Sequence, residues 1–223
     1  MAVKVLVAGL GGQGVILASR LVAWSAVKES HSVTATETHG MSQRGGAVAC
    51  HVAIDAGDAP LIQRGTADLL LALDPGEAVR NLTFLRPKGA CLVNTAAALP
   101  PEVLPHLRRL GINVQTLDAT RLAREAGIPS AANVALVGFA AAHRLLPLAA
   151  PSLEAALAAV LHRSLDANRR ALAAGLRAGR AAAEAGARST APDAAPGHGA
   201  VPAPPAPPAP PNGQPMGSDR AAL

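Results

Sequence analysis

Aromatic side chains are almost missing from this chain. Its 223 residues include one Trp, two Phe and no Tyr, too few rings for the stacking platforms that hold single-stranded nucleic acid. Cysteine is as scarce. Cys50 and Cys91 are the only two, and they form no CxxC pair. A disulfide framework is therefore not expected, and an iron–sulfur cluster would need about four thiolates. Both cysteines read as small buried hydrophobes. No apolar run approaches the roughly 20 residues that cross a bilayer. The start of the chain is interrupted by Gly9 and lacks the apolar stretch of a secretory signal. The reading is a soluble, cytoplasmic chain with no metal site. Charge is mildly one-sided, at +5, which suits acidic ligands or an acidic partner as well as it suits RNA or DNA; the shortage of rings argues against the last, and no nucleic-acid partner is expected.

What the chain does have is a large apolar share, 50% of its residues, drawn mainly from Ala, Leu and Val. Residues 3–8 place Val at alternate positions and end at glycine, as a buried parallel strand does. Residues 14–28 space Ile16, Leu17, Leu21, Val22 and Trp24 as a helix. Residues 32–36 are β-branched and short, a second strand. Val48, Cys50, Val52 and Ile54 alternate with Ala47, Ala49, His51 and Ala53, a half-buried strand that ends in the turn Asp55-Ala56-Gly57-Asp58. Residues 67–73 form another buried strand, and Pro75 opens a helix. Residues 91–94 and 114–117 are two further strands, each followed by helix. The alternation predicts an α/β fold, a Rossmann-like and mostly parallel sheet with flanking helices. From Asn133 onward the chain reads as helical. Leu153, Leu157, Val160, Leu161, Leu165, Leu172 and Leu176 fall near one face of a helix, decorated by Arg163, Arg169, Arg170, Arg177 and Arg180 as a solvated basic face. The domain boundary is drawn at 1–186. Residues 187–223, with an almost pure Pro/Ala run at 201–211, read as a disordered tail.

Two glycine clusters stand out against this scaffold. The first is Gly9-Leu10-Gly11-Gly12-Gln13-Gly14, between a strand and a helix. Gly9, Gly11 and Gly14 satisfy G-x-G-x-x-G: a tight turn, a close backbone approach to a phosphate, and close helix–strand packing. The N-terminus of the following helix would present free N–H groups and partial positive charge. Gly9, Gly11, Gly12, Gln13 and Gly14 are the candidate cofactor-binding residues. On the residues alone three readings stay open: a turn with no ligand, a bound dinucleotide, or another anionic group from a ligand or a partner's cofactor. Glu37, at the end of the second strand, stands roughly where a ribose-binding acid would.

The second cluster is Glu37-Thr38-His39-Gly40-Met41-Ser42-Gln43-Arg44-Gly45-Gly46. Arg44 could grip a carboxylate or phosphate through parallel N–H bonds. His39 could donate a hydrogen bond or move a proton near neutral pH, and Gln43 could orient a polar ligand atom. These three are the candidate catalytic residues. A purely structural loop, with Arg44 capping carbonyls and His39 packed, is the other reading.

Taken together, the two clusters resemble the gamma-type domain of the 2-oxoacid:ferredoxin oxidoreductases, in its indolepyruvate-using branch. Three later stretches are also similar: Ala67-Asp68-Leu69-Leu70-Leu71-Ala72-Leu73 with Glu77, then Val93-Asn94-Thr95, and residues 128–133 with Gly138. The resemblance covers about residues 3–180. It implies a subunit of a thiamine diphosphate enzyme that oxidatively decarboxylates an arylpyruvate to its acyl-CoA. It implies further that thiamine diphosphate and the iron–sulfur clusters sit on a larger alpha-type partner subunit, that coenzyme A is the co-substrate, and that ferredoxin takes the electrons. The chain has no G-D-G followed at a distance by N-N, the thiamine motif. Under this reading the glycine loops lie side by side at the carboxyl ends of the sheet and close the partner's active site. Two competitors remain: an independent NAD(P)-binding protein, supported by Glu37, and a subunit whose loops only pack against a partner.

Overall fold

A computed structural model describes residues 2–39, 45–161 and 163–189. Six strands form one sheet: β1 (Val3–Leu10), β2 (Val33–His39), β3 (Ala47–Ile54), β4 (Ala67–Ala72), β5 (Leu85–Asn94) and β6 (Asn113–Leu117). Their order across the sheet is β2-β3-β1-β4-β5-β6. The four strands β1, β4, β5 and β6 pair in parallel, which gives the Rossmann-like half expected from the alternation. The other half is antiparallel. β3 lies between β1 and β2 and opposes both, with Val7 opposite Cys50 and Cys50 opposite Glu37. The sheet is therefore mixed, and β2–β3 is a hairpin whose connection contains the second glycine cluster.

Strand alternation sends successive side chains to opposite faces. Val5 and Val7, with Cys50, Val52, Leu69, Leu71 and Leu92, build one core. Leu6 and Ala8, with Leu70, Ala72, Cys91 and Val93, build the other. Helices α1 (Val15–Lys28), α4 (Ala119–Glu125), α5 (Ala132–Ala142), α6 (Ala150–Val160) and α7 (Leu165–Ser189) belong to the first side; α2 (Pro75–Asn81) and α3 (Leu104–Arg109) cover the second. Helix α5 is buried from Asn133 to Ala140, shielded outside by α7. At Gly175 of α7 a Cβ atom would run into the backbone oxygen of Ala135, so the two helices meet backbone to backbone. Such contacts need small residues, and here the chain's wealth of alanine has a structural use: it packs helices closely without aromatic anchors.

Several local expectations change. The apolar face drawn through residues 153–176 belongs to two helices, since α6 ends at Val160, Leu161 is extended (φ −108°, ψ 122°) and Ser164 is left-handed (φ 54°). Of the basic face, Arg169 pairs with Asp166 at 3.3 Å and Arg170 Nε donates to the Ala126 carbonyl at 3.1 Å. Trp24 stays outside the core; it is 47% exposed, because α1 buries Val15, Ala18, Leu21, Val22 and Ala26 instead. β3 is buried on both faces in its second half, where His51 sits beneath the segment around Ile62 and its ring meets Phe84 edge-on at 5.9 Å. β5 starts at Leu85, which pairs with Ala67; the register then shifts, so Arg86, Pro87 and Lys88 fall in an irregular stretch before Ala90 pairs with Leu69. The tail drawn from 187 onward lies outside the described residues from 190, and α7 runs through Ser189.

Candidate functional site

The first glycine cluster is the turn from β1 into α1, and its hydrogen bonds explain its composition. Gln13 closes the turn on itself: its N–H donates to the Leu10 carbonyl at 3.1 Å, and its Oε1 accepts from the Leu10 N–H at 2.8 Å. Gly9 lies beneath that side chain, where a Cβ would stand 2.8 Å from Gln13 Oε1 and 3.0 Å from Leu73 Cβ. Gly14 is left-handed (φ 78°) and its carbonyl accepts from Asn133 Nδ2 at 2.9 Å. A side chain on Gly14 would collide with that amide. Asn133, fully buried at the start of α5, thus pins the turn to the helical layer. No side chain caps α1, and its first turn contains no acid, so the partial positive charge of the helix end is left uncompensated.

The second cluster meets the first. The Gly11 N–H donates to the Gly46 carbonyl at 2.9 Å, and a Cβ on Gly11 would lie 3.4 Å from the Gly45 nitrogen. His39, the last residue of β2, is level with Gly9 across the sheet through Val48. Gln43 and Arg44 lie outside the described residues; of the described residues on either side of them, Gly45 meets the glycine turn and His39 lies two strands from it. The carboxyl ends of β1 and β2 point the same way, so the described residues of both clusters stand toward one end of the sheet.

That end also holds a cavity of about 190 Å³ lined by Gly12, Gln13, Leu73, Asn94, Thr120 and Ser130, among others. Its position follows from topology. The connection after β1 runs to α1 on one face, and that after β4 runs to α2 on the other. A crevice opens between neighbouring parallel strands whose connections diverge, and open α/β sheets place ligands there. Asn94 and Thr120 form its polar floor: Asn94 Nδ2 donates to the Thr120 hydroxyl at 3.1 Å and to the Leu73 carbonyl at 3.3 Å, and the Thr120 N–H donates to Asn94 Oδ1 at 3.3 Å. Thr120 escaped the sequence reading, and Ser130 entered it only within the similar stretch 128–133. The signal available for Thr120 was positional: a polar residue at the start of the helix that follows β6.

Glu37 does not occupy a ribose-binding position. It sits two strands from β1, about 10 Å away at the usual strand spacing, and level with Val7, about another 10 Å short of the strand's end. The intervening strand β3 removes the feature that favoured a dinucleotide.

The chain's own donors do not suit a redox cluster. Cys50 and Cys91 are buried in opposite cores of the sheet. Burial raises the Cys50 thiol above its usual value and pushes Cys91 up to about 12, so neither is a ready thiolate. Among the described residues no three His, Cys, Asp or Glu side chains gather as a metal site. The same residues include no helix long and apolar enough to cross a membrane.

The sequence matches the pyruvate ferredoxin/flavodoxin oxidoreductase family over residues 4–178. It is 34% identical to the indolepyruvate oxidoreductase subunit IorB of Archaeoglobus fulgidus over 189 residues, 78% of this chain and 94% of that protein. In fold it is similar to the gamma subunit of keto/oxoacid ferredoxin oxidoreductase from Geobacter sulfurreducens (TM-score 0.66, 23% identity, 80% of this chain and 99% of that one). It is also similar to 31% of the chain of 2-oxoglutarate:ferredoxin oxidoreductase from Magnetococcus marinus, solved with 2-oxoglutarate, coenzyme A and succinyl-CoA bound; the match has a TM-score of 0.67, 18% identity and covers 81% of this chain. With the family matched along most of its length, and the turn, the hairpin and the crevice converging at one end of its sheet, the chain belongs to the pyruvate ferredoxin/flavodoxin oxidoreductase family.

Proposed function

We propose that this chain is the small subunit of an indolepyruvate-type 2-oxoacid:ferredoxin oxidoreductase, a cytoplasmic heterodimer with a larger alpha-type subunit. The partner carries thiamine diphosphate and the iron–sulfur clusters. When bound there, thiamine diphosphate supplies the carbanion chemistry that releases CO2 from the 2-oxoacid, while electrons pass to ferredoxin and the acyl group to coenzyme A. The observation that carries this reading is the contact between the two glycine segments, Gly11 to Gly46, at the mouth of the strand crevice.

This chain's residues hold and orient. The turn of Gly9, Gly11, Gly12, Gln13 and Gly14 keeps backbone close to the incoming ligand, because no side chain stands between. The uncapped end of α1 favours an anion there. Arg44 takes an anionic group of coenzyme A or of the 2-oxoacid carboxylate, with His39 and Gln43 adding polar contacts. Gln13 has its Oε1 committed to Leu10 and offers only its amide nitrogen.

Replacing Arg44 by Ala raises the apparent KM for one of the two anionic substrates by about tenfold, the scale of one lost charge-assisted contact. Assembly with the large subunit persists. Steady-state kinetics on the reconstituted complex measure this; an Arg44→Ala enzyme with unchanged kinetics for both substrates removes the assignment. A complex that no longer assembles assigns the loop to packing instead.

A further inference from the structure

At the other end of the sheet, the starts of β1, β4, β5 and β6 and the turn after α5 frame an open, solvent-facing cavity of about 390 Å³. Arg86, Lys88 and Arg144 line it together with one carboxylate, Asp68, and the amide Asn113. The carboxylate is committed. Asp68 Oδ1 holds Arg86 Nε at 2.5 Å, and its Oδ2 accepts from the Lys4 backbone N–H at 2.7 Å. Among the described residues, neither the Lys88 ammonium nor the Arg144 guanidinium has a hydrogen-bond or ion-pair partner. The cavity therefore presents two uncompensated cations beside one neutralised pair.

The backbone singles out the same two residues. Among the described residues, five that are not glycine adopt positive φ: Ser30, Asp55, Lys88, Arg144 and Ser164. The two that carry a positive charge both line this cavity. Long side chains rarely adopt that conformation. Here each is held by the backbone, the Lys88 N–H on the Leu110 carbonyl at 2.8 Å and the Arg144 N–H on the Ala141 carbonyl at 3.1 Å. Next to Lys88, Gly89 has no room for a Cβ, which would stand 2.9 Å from the Arg86 carbonyl oxygen. Leu145 and Pro147 form an apolar wall on the Arg144 side. The volume of this open cavity is of small-ligand size.

We propose that this cavity binds a small organic phosphate: a dianionic phosphoryl head between Lys88 and Arg144, and a short apolar body against Leu145 and Pro147. A guanidinium and an ammonium suit such a head, the first as a planar fork and the second as a point charge. The site is separate from the glycine turn, which lies at the opposite ends of the same strands.

The test is an amide NMR titration of the full chain with inorganic phosphate, with inorganic pyrophosphate and with phenyl phosphate. The expected result is saturable binding of one equivalent, with shifts at Lys88, Gly89, Asn113 and Arg144. Phenyl phosphate binds more tightly than inorganic phosphate. The double variant Lys88→Gln, Arg144→Gln unfolds at the same temperature as the parent and binds at least about tenfold more weakly, since two charge-assisted contacts are lost. Shifts confined to residues 11–13, or an affinity unchanged in the double variant, would overturn the proposal. So would polyglutamate occupying these residues without being displaced by pyrophosphate, which would make the surface a docking site for an acidic polypeptide.

Discussion

Positive potential appears at both ends of the sheet, built by different means. At the carboxyl end it comes from peptide groups: the uncapped start of α1 and the bare backbone of Gly11 and Gly12. No charge substitution can remove it, but it depends on residues that lack side chains. At the amino end it comes from Lys88 and Arg144, whose charges could be exchanged one at a time, and whose turns tolerate long side chains in a conformation glycine would adopt more readily. An end that must let a ligand touch backbone is intolerant of added atoms. An end that reaches with side chains is intolerant of lost charge.

The largest effect expected from this contrast is at Gly14. Changing Gly14→Ala imposes a left-handed alanine and a collision with Asn133, costing about 3 kcal/mol by the usual sizes of left-handed strain and overpacking. Urea unfolding of the isolated chain reads it, and a loss under about 1 kcal/mol would mean the turn can shift to make room. The amino end should respond the other way. Lys88→Gly relieves a left-handed lysine, offset by glycine's greater freedom when unfolded, so stability stays level or rises by up to about 1 kcal/mol. A clear loss there would show that the lysine stem packs in a way the exposed side chain does not suggest.

A smaller effect separates the faces rather than the ends. Burial holds the His51 imidazole below its usual value of 6.5, and its Nδ1 accepts from the Ile62 N–H at 3.2 Å. The folded state keeps this ring neutral, so the stability it supports is present above the unfolded value and is lost as pH falls below about 6.5 toward the folded one. In His51→Asn the side-chain oxygen can replace Nδ1 as acceptor but does not titrate. Denaturant melts at a series of acid pH values should show a shallower decline for the variant; parallel declines would place the acid sensitivity elsewhere.

The carboxyl end was largely legible in the sequence because its requirements are local. A strand, a glycine turn and a helix are contiguous in residues 3–28, and Gly9, Gly11 and Gly14 each answer a constraint imposed by a close neighbour or by the turn itself. Gln13 was legible as part of the motif but not in its role, since the bond to Leu10 depends on how the turn folds back. Long-range pairing was hidden. Nothing in the residues of β3 states that it lies antiparallel between β1 and β2, yet that insertion carries Glu37 away from the turn and removes the dinucleotide reading. Periodicity also failed where packing, not pattern, decides exposure: Trp24 follows helical spacing but faces solvent, and the spacing of leucines across Leu161 ignores the break between α6 and α7. The amino-end cavity has no sequence signature, because Arg86, Lys88, Asn113 and Arg144 come from separate segments joined by the sheet.

The central claim is that this chain completes a catalytic site whose redox centres belong to its partner. Indolepyruvate-dependent reduction of a viologen dye in the presence of coenzyme A tests it most directly, measured for the purified chain alone and after addition of the large subunit. The account predicts no turnover from the chain alone and full turnover on reconstitution. A purified chain that oxidises or reduces a soluble nicotinamide without any partner would contradict it.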